Sequence, residues 1–528
     1  MPVHIIFMGG IVTMIMLEGK QMKKTVNLDA MILREDFKIE NGFSRANRFK
    51  QLKANDLKSD AAMRYMIKKP DFQRETRDWN VSQITNFISS ILDRHFIPSI
   101  ILWQNSSGVT FVIDGAHRLS AFMAWINDDY GDGTISNEFY GQKISEEQLE
   151  LAKKARTQIE KKVGKYDIYQ DALKNAQKYS AEVVSKAMGI ESFAFDIQWI
   201  EGDVSVAEKS FFNINQKAIP INPTEMKILE GRNKPIGIAA RAISYSGNGY
   251  KYWKDFDGIV QKEIETISKD ISDILFLPKT KKPITTLDVS IAGRNQMDLQ
   301  FVYDLLVYSN ENIPDIVDKD GNDTIKVLAN TRKILQIINS KDAGSLGMHP
   351  IIYFYSKKGN FKPANFYATI LFVKQLKREN KFDVFTDVRK KFEEFIYKND
   401  YIIDQIIRNL RSTKNSTEPL ARLFMMIMLQ LKEEKSEGDI LQNIQQIYMN
   451  INLVQNEEVS SSDFNANRKS ETYITTALKS VVRCGICGGV VHVNATSVDH
   501  ITRKRDGGLG SVDNGQITHP YCNTGYKN

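Results

Sequence analysis

The first strong pattern in the chain is an apolar period of helical type that starts near residue 80. Ile84, Ile88 and Leu92 recur with their neighbours at helical spacing and predict one buried helix face. Asn80 followed three residues later by Gln83 predicts a capping box at the helix start. Two short apolar runs, 99–103 and 109–113, flank a polar turn and predict strands. A second apolar helical period follows the second strand.

The pattern then becomes less regular. Residues 145–186 are highly charged with sparse apolar positions, which predicts solvated helices, read as an insertion. Residues 193–199 predict another strand, and Pro223 predicts a helix that starts with proline at its first position. From 257 to about 453 the spacing is mostly helical. Residues 456–470, rich in Ser, Asn and Glu, predict a linker.

These patterns divide a chain of 528 residues, which is too long for one ordinary domain. We predict an α+β multidomain protein with an α/β domain at 22–256, a helical domain at 257–455 and a small module at 471–528. The apolar segment Met1–Leu17 lacks the basic start of a signal peptide and is too short to span a membrane. Met22-Lys23-Lys24-Thr25 resembles a bacterial start, so residues 1–21 are predicted to precede the native protein.

The net charge says little about binding partners, whereas the cysteine content bears on the cellular compartment. The net charge of +7 arises from 71 basic and 64 acidic residues, an excess too small to indicate nucleic acid by itself. The three cysteines all lie in the last 50 residues and leave none for disulfides. We therefore predict a cytoplasmic protein with no membrane partner.

The cysteines lie in two short knuckles with the spacing of a metal site. Cys484-x-x-Cys487 and His519-x-x-Cys522 are about thirty residues apart. Three thiolates and one imidazole suit tetrahedral zinc, and a module of this size needs a structural metal because it cannot bury enough core. A zinc ribbon used only for contact would need nothing specific between its knuckles.

The segment between the knuckles is specific. Asp499-His500 is followed fourteen residues later by Asn514 and nine residues after that by Asn523. This order resembles the HNH nuclease family over about 45 residues, and Lys527 matches the family's usual ending. The resemblance implies a strand–loop–strand–helix (ββα-metal) fold around a catalytic divalent ion that is distinct from the zinc.

The resemblance also implies a role for each matching residue. His500 would be the general base that activates water, since a neutral imidazole suits that task near neutral pH. Asp499 and Asn523 would hold Mg²⁺ or a similar hard ion through oxygen, and Asn514 would hold the loop that bears His500. The nucleic-acid contacts would come from basic residues near this site: Arg503, Lys504, Arg505 and Lys527.

A second motif, Asp114-Gly115-Ala116-His117-Arg118, lies between a predicted strand and a predicted helix. Glycine permits a close turn, a helix N-terminus attracts anions, and Arg118 can bind phosphate through two hydrogen bonds. An ordinary strand–helix turn explains these five residues equally well.

The surrounding order of motifs adds a resemblance. Gln73-Arg74 and Trp79, then the amphipathic helix, then the Asp114 motif resemble a ParB/sulfiredoxin-like domain with a DGQQR or DGQHR motif, over about 30–230. Such domains occur in GmrSD-type modification-dependent restriction enzymes. The resemblance implies nucleotide binding or hydrolysis, or sensing of modified DNA. The implied site comprises Asp114, Gly115, His117 and Arg118, with Gln73 and Arg74 facing it. Ala116 and His117 depart from the commonest motif, so NTP binding is expected to be retained more readily than hydrolysis.

Three hypotheses follow. The first is a phage-defence or restriction endonuclease that cuts double-stranded DNA, with the N-terminal domain as sensor and the helical domain transmitting its state or forming a homo-oligomer. The second is a toxin nuclease that acts on RNA or on the host's own DNA. The third is a non-catalytic ParB-like DNA-binding protein with a structural zinc module. The Asp499-His500 pair argues against the third, which gives those residues no task.

Overall fold

The computed structural model describes residues 25–35, 37, 48–70, 73, 76, 79–140, 144, 146–218, 223–248, 251–293, 298–453 and 463–526. The chain forms two compact units, Met1–Pro220 and Ile221–Asn528. The expectation about residues 1–21 concerns a segment outside the described residues, as do the predicted roles of Arg74 and Lys527.

A six-stranded mixed sheet lies at the centre of the first unit, with strand order β1-β3-β5-β4-β6-β2. Its strands are β1 Arg34–Glu35, β2 Gln51–Lys53, β3 Ile67–Pro70, β4 Ile100–Gln104, β5 Thr110–Asp114 and β6 Ala194–Trp199. β1, β3 and β5 run parallel to one another and β4 runs parallel to β6, while the β4–β5 and β2–β6 pairs are antiparallel. The predicted strands at 99–103, 109–113 and 193–199 are thus confirmed within one residue.

The described part of the first unit also contains eight α-helices. They are α1 Ala62–Met66, α2 Val81–Leu92, α3 Ala116–Ile126, α4 Thr134–Tyr140, α5 Glu146–Lys162, α6 Tyr166–Lys174, α7 Ala181–Ser192 and α8 Val204–Ala218. Helix α2 begins with the predicted capping box, since Asn80 and Gln83 each accept a hydrogen bond from the other's backbone N–H at 3.0 Å. Ile84 and Ile88 on its apolar face are fully buried.

The charged segment forms helices as predicted, but they are not solvated on every side. Ala152, Ala155 and Ile159 on α5 are buried, and α5 packs against α2. The alanines carry little apolar surface, so a pattern of large hydrophobic residues does not reveal this buried face.

The second unit is mostly helical, as the spacing predicted. Its helices are α9 Pro223–Glu230, α10 Pro235–Ser244, α11 Gly258–Phe276, α12 Leu299–Ser309, α13 Asn322–Ile338, α14 Pro350–Tyr353, α15 Pro363–Arg378, α16 Phe382–Lys398, α17 Asp400–Asn409, α18 Thr413–Lys432, α19 Glu437–Ile447 and α20 Ala466–Ala477. One apolar core extends through this unit from Ile228 to Val490. None of the described helices is both long and apolar enough to cross a membrane.

Two features of this unit bear on the predicted domain limits. Helices α9 and α10 belong to the second compact unit, although we placed them in the N-terminal domain. The last five residues of the predicted linker lie in α20, where the buried Ser470 accepts a hydrogen bond from the backbone N–H of Ile284 at 2.9 Å. The C-terminal end of the predicted linker is thus hydrogen-bonded to the helical region.

A small hairpin and a helical turn complete the second unit. Strands β7 Ser497–His500 and β8 Gly515–Thr518 pair antiparallel, with Asp499 opposite Gln516 and His500 opposite Gly515. A π-helical turn, Cys522–Tyr526, follows β8. This order of strand, loop, strand and helical turn is the one predicted for the C-terminal module.

Candidate metal centre and nuclease site

The two knuckles come together at one buried point. Cys484, Cys487, His519 and Cys522 each offer a ligand atom, and these four atoms lie within 4.8 Å of one another. All four residues are buried, with at most 8% of any exposed. The structure therefore confirms that the predicted ligands form one potential metal site.

The geometry and the donor set fit zinc. With metal–sulfur bonds of about 2.3 Å, ligand atoms of a tetrahedron lie about 3.7 Å apart. His519 Nδ1 is 3.3 Å from Cys487 Sγ and 3.9 Å from Cys522 Sγ. Hydrogen bonding between Cys484 and Cys487 lowers the pKa of Cys484 far below its usual range and raises the pKa of Cys487 to about 11. A divalent cation would allow all three thiols to ionise together.

His519 is oriented for this role by its second nitrogen. Its Nε2 lies 3.1 Å from the backbone oxygen of Val490, to which it can donate, so Nδ1 is left with its lone pair toward the cysteines. Burial lowers the pKa of His519, and the charge of Arg389 acts in the same direction. Both effects favour the neutral imidazole that binds a metal.

Strand β7 carries the predicted catalytic pair. Asp499 is 7% exposed and accepts a hydrogen bond from Gln516 Nε2 at 2.9 Å across the hairpin. His500 is the last residue of the strand and is partly exposed. The buried carboxylate is thereby fixed, while the imidazole remains accessible to a substrate.

Asn523 reaches the same strand from the terminal turn. Its Nδ2 donates to Ser497 Oγ at 2.8 Å and lies 3.3 Å from the backbone oxygen of Val498. These contacts bring Asn523 to the strand that holds Asp499 and His500. Because the amide nitrogen is used in this way, Oδ1 is the atom of Asn523 suited to a cation.

Asn514 closes the loop between β7 and β8. Its Oδ1 accepts from the backbone N–H of Thr502 at 2.7 Å, and its Nδ2 donates to the backbone oxygens of Thr502 and Leu509 at 3.1 and 2.7 Å. A Cβ at Gly508 would lie 1.8 Å from the backbone oxygen of Thr502, so only glycine fits there. These bonds give Asn514 the loop-holding position expected of it.

The predicted phosphate-binding residues follow β7 directly. Lys504 and Arg505 are exposed in a single turn of 3₁₀ helix, and Arg503 is partly exposed before it. Their position next to His500 is compatible with backbone phosphate contacts.

Sequence reasoning did not identify Gln516 or Ser497. Both lie on the hairpin face that also carries Asp499, since side chains two apart on a strand, or directly opposite, share a face. Alternation along β7 and β8 is the signal that could have found them, but it requires the register, which the spacing of motifs does not give.

In the first unit, the Asp114 motif lies at the junction of β5 and α3. Gly115 adopts a left-handed conformation with φ of +96°, and a Cβ there would lie 2.4 Å from Ile100 Cδ1. Arg118 donates to Asp114 Oδ2 at 2.6 Å and to the backbone oxygens of Pro98 and Ser99, the latter at 3.3 Å. Arg118 thus forms its hydrogen bonds with protein atoms, which is what the interpretation as an ordinary strand–helix turn predicts.

Other residues predicted for this site lie near the same sheet edge. His117 stacks on Trp79 with ring centroids 6.0 Å apart. Gln73 follows the end of β3, which runs parallel to β5, so both strands end at the edge that carries Asp114. Gln73 is 7% exposed, and its side-chain oxygen has no hydrogen-bond partner within the described ranges. The motif and Gln73 therefore share an edge, although no contact between them is among the described interactions.

Comparison with known proteins gives two matches to family models. Residues 50–229 match the family model of the GmrSD restriction endonuclease N-terminal domain, and residues 484–528 match that of the HNH endonuclease. Searches of curated proteins and of solved structures gave no match. The chain therefore carries one segment similar to the GmrSD N-terminal domain and, at its C-terminal side, one similar to the HNH endonuclease domain. The two matches support a nuclease of the restriction or defence class, and endonuclease domains imply a DNA substrate.

Proposed function

We propose that this protein is a metal-dependent DNA endonuclease of phage defence or modification-dependent restriction, with zinc in the cysteine cluster. The observation that carries the proposal is that Asp499 and His500 end one strand and Asn523 contacts that same strand, within the segment that matches the HNH family.

In this proposal His500 takes the proton from a water molecule that attacks phosphorus, and the bond from phosphorus to the leaving oxygen breaks. Asp499 and Asn523 hold a divalent ion, Mg²⁺ or a similar one, which supplies charge stabilisation at the phosphate when bound. Gln516 keeps the Asp499 carboxylate in place, and Asn514 keeps the loop after His500 in place. Arg503, Lys504 and Arg505 bind backbone phosphates.

The N-terminal domain, in the same proposal, senses a nucleotide or modified DNA at the sheet edge that carries Asp114. The support is the N-terminus of α3, whose N-cap Gly115 makes no side-chain cap hydrogen bond, together with the side-chain oxygen of the buried Gln73, which has no hydrogen-bond partner within the described ranges. A ParB/sulfiredoxin-like ancestry, NTP hydrolysis and a homo-oligomeric state are further parts of this proposal.

The experiment is cleavage of plasmid DNA, modified phage DNA and RNA with Mg²⁺ or Mn²⁺, each with and without NTP. His500→Ala is expected to abolish cleavage, while His95→Ala, which changes an exposed histidine of the first unit, serves as the matched control. Full activity of His500→Ala would refute the assignment of the base. Preference for RNA would favour the toxin hypothesis, and binding without any cleavage would favour the DNA-binding hypothesis.

A further inference from the structure

Helix α16 of the helical region forms the back wall of the metal site. The residues that join it to the C-terminal module are Asp383, Asp387, Arg389 and Glu393. Asp383, Asp387 and Arg389 each contact a residue that lies 130 or more positions further along the chain. Glu393 contacts one that lies 97 positions further along.

Arg389 places a cation beside the ligand atoms. Its side chain is 1% exposed, and its Nη1 lies 3.1 Å from His519 Nδ1, the atom that faces the three sulfurs. The guanidinium also donates to Glu393 Oε1 at 2.7 Å and to the backbone oxygens of Leu346 and Gly347. With a metal on Nδ1, Arg389 would face the cluster as a charge and not as a donor to that nitrogen.

Glu393 holds the knuckle backbone. Its carboxylate accepts from the backbone N–H of Val490 at 2.8 Å and from the Tyr353 hydroxyl at 3.0 Å, besides Arg389. The backbone oxygen of Val490 in turn lies 3.1 Å from His519 Nε2. A closed chain of hydrogen bonds therefore runs from Arg389 through Glu393 and Val490 to the histidine ligand.

The backbone is shaped to admit this contact. A Cβ at Gly489 would lie 2.5 Å from Arg389 Nε, and a Cβ at Gly347 would lie 2.5 Å from His519 Cδ2. A larger residue at position 489 would clash with Arg389 of α16, and one at position 347 would clash with the ring of His519.

The charge of the cluster gives a reason for an arginine in contact with it. Three thiolates, one neutral imidazole and a divalent cation leave a net charge of −1 in a buried place, which is costly unless it is paired. Among the described residues, Arg389 is the basic side chain that contacts the cluster. Because Glu393 carries the opposite charge, the buried Arg389–Glu393 pair turns its positive end toward the cluster and does not neutralise it in full.

We propose that Arg389 and Glu393 are the outer shell of the zinc site, so that binding of the metal and docking of the C-terminal module onto α16 are one event. Asn523 directly follows the ligand Cys522, and on either side of it Tyr521 donates to Asp383 at 2.7 Å and Tyr526 donates to Asp387. Helix α16 thereby positions Asn523. The outer-shell role rests on the zinc of the proposed function, and the positioning of Asn523 rests on its nuclease activity.

The test uses the full chain and measures the metal without DNA. Zinc release to a chromogenic chelator is followed for wild type, Arg389→Met, Arg389→Lys and Glu393→Gln. Lys362→Met is the matched control, because Lys362 is another buried cation of the helical region, paired with Asp400 and Asp404. We expect Arg389→Met and Glu393→Gln to bind zinc about 10–100-fold more weakly. Arg389→Lys should recover part of the loss, and Lys362→Met should retain zinc as wild type does.

A spectroscopic readout separates an outer-shell role from a general loss of packing. In the cobalt-substituted protein, removal of the Arg389 charge should shift the sulfur-to-cobalt charge-transfer bands, whereas Lys362→Met should leave them in place. If Arg389→Met does not fold, Glu393→Gln and Arg389→Lys carry the same comparison. Zinc release and cobalt bands equal to wild type in the variants that fold would overturn the proposal. A wild type that binds zinc normally but cleaves nothing would instead contradict the proposed function.

Discussion

Gln516 and Asp499 face each other across the β7–β8 hairpin, and Gln516 Nε2 donates to Asp499 Oδ2 at 2.9 Å. The hydrogen bond occupies one oxygen of a carboxylate that is 7% exposed. If Asp499 holds the catalytic ion, Gln516 is the residue that fixes its orientation.

Replacing Gln516 with Met keeps the length of the side chain but removes the donor. We expect cleavage to fall about 10–100-fold and the requirement for Mg²⁺ to rise, because the carboxylate is no longer held. A Mg²⁺ titration of plasmid cleavage measures this. Ile517→Ala, which changes the exposed neighbouring residue, should behave as wild type. An unchanged titration curve for Gln516→Met would show that Asp499 needs no support from this residue.

Asn514→Ala removes three hydrogen bonds from the loop that follows His500. Each such hydrogen bond stabilises the closed loop by about 0.5–1.5 kcal/mol, so the loop of the variant should open far more often. Because it contains Arg503, Lys504 and Arg505, trypsin should cut it faster in the variant. The exposed neighbour Asp513→Ala is the control, and equal rates of tryptic cleavage would contradict the loop-holding role.

His349 makes the stability of the second unit sensitive to acid. Burial, with a contribution from His492, lowers the pKa of His349 well below its usual 6.5, and its Nδ1 accepts from the backbone N–H of Ile351 at 3.2 Å. The unfolded chain therefore binds more protons below pH 6.5. The stabilisation is complete above pH 6.5 and is lost as the pH falls below it.

His349→Asn tests this, because asparagine can also cap a helix start but does not titrate. The free energy of unfolding is measured at about pH 7 and at about pH 5. It should fall less between these two pH values in the variant than in wild type. Metal release at low pH affects both proteins alike. The same slope in both would mean that His349 is not the group responsible.

In the first unit, Asp29 is fully buried and accepts from Arg34, from Lys69 Nζ at 2.6 Å and from the backbone N–H of Thr76 at 3.0 Å. Burial acts to raise its pKa, but Arg34 and Lys69 outweigh burial and hold the pKa far below the usual range. Asp29→Asn removes a fully buried negative charge that Arg34 and Lys69 both contact, and should cost about 3–5 kcal/mol of unfolding free energy.

Urea unfolding by tryptophan fluorescence can measure this loss, since four of the five tryptophans lie in the first unit. Asp196→Asn, on an exposed carboxylate that accepts from Gln51, should stay within about 0.5 kcal/mol of wild type. A similar small effect for Asp29→Asn would contradict the importance of the buried cluster.

Local patterns were enough to predict several elements of this protein. Helix α2, its capping box and the strands on either side of the turn at 104–108 follow from residues only a few positions apart. The metal knuckles and the HNH spacing could also be predicted from local patterns. Two cysteines separated by two residues place their sulfurs close together without help from the rest of the chain.

The buried face of α5, the partners of Asp499 and the back wall of the metal site could not be predicted in this way. Alanine gives a weak pattern on α5, and Gln516 acquires its role only through the hairpin register. The sequence by itself indicated which residues form the candidate metal site and the HNH-like motif, since both depend on short spacings along the chain. Only the tertiary structure decided that Arg389 lies against His519, because a contact across 130 residues depends on how the helices pack.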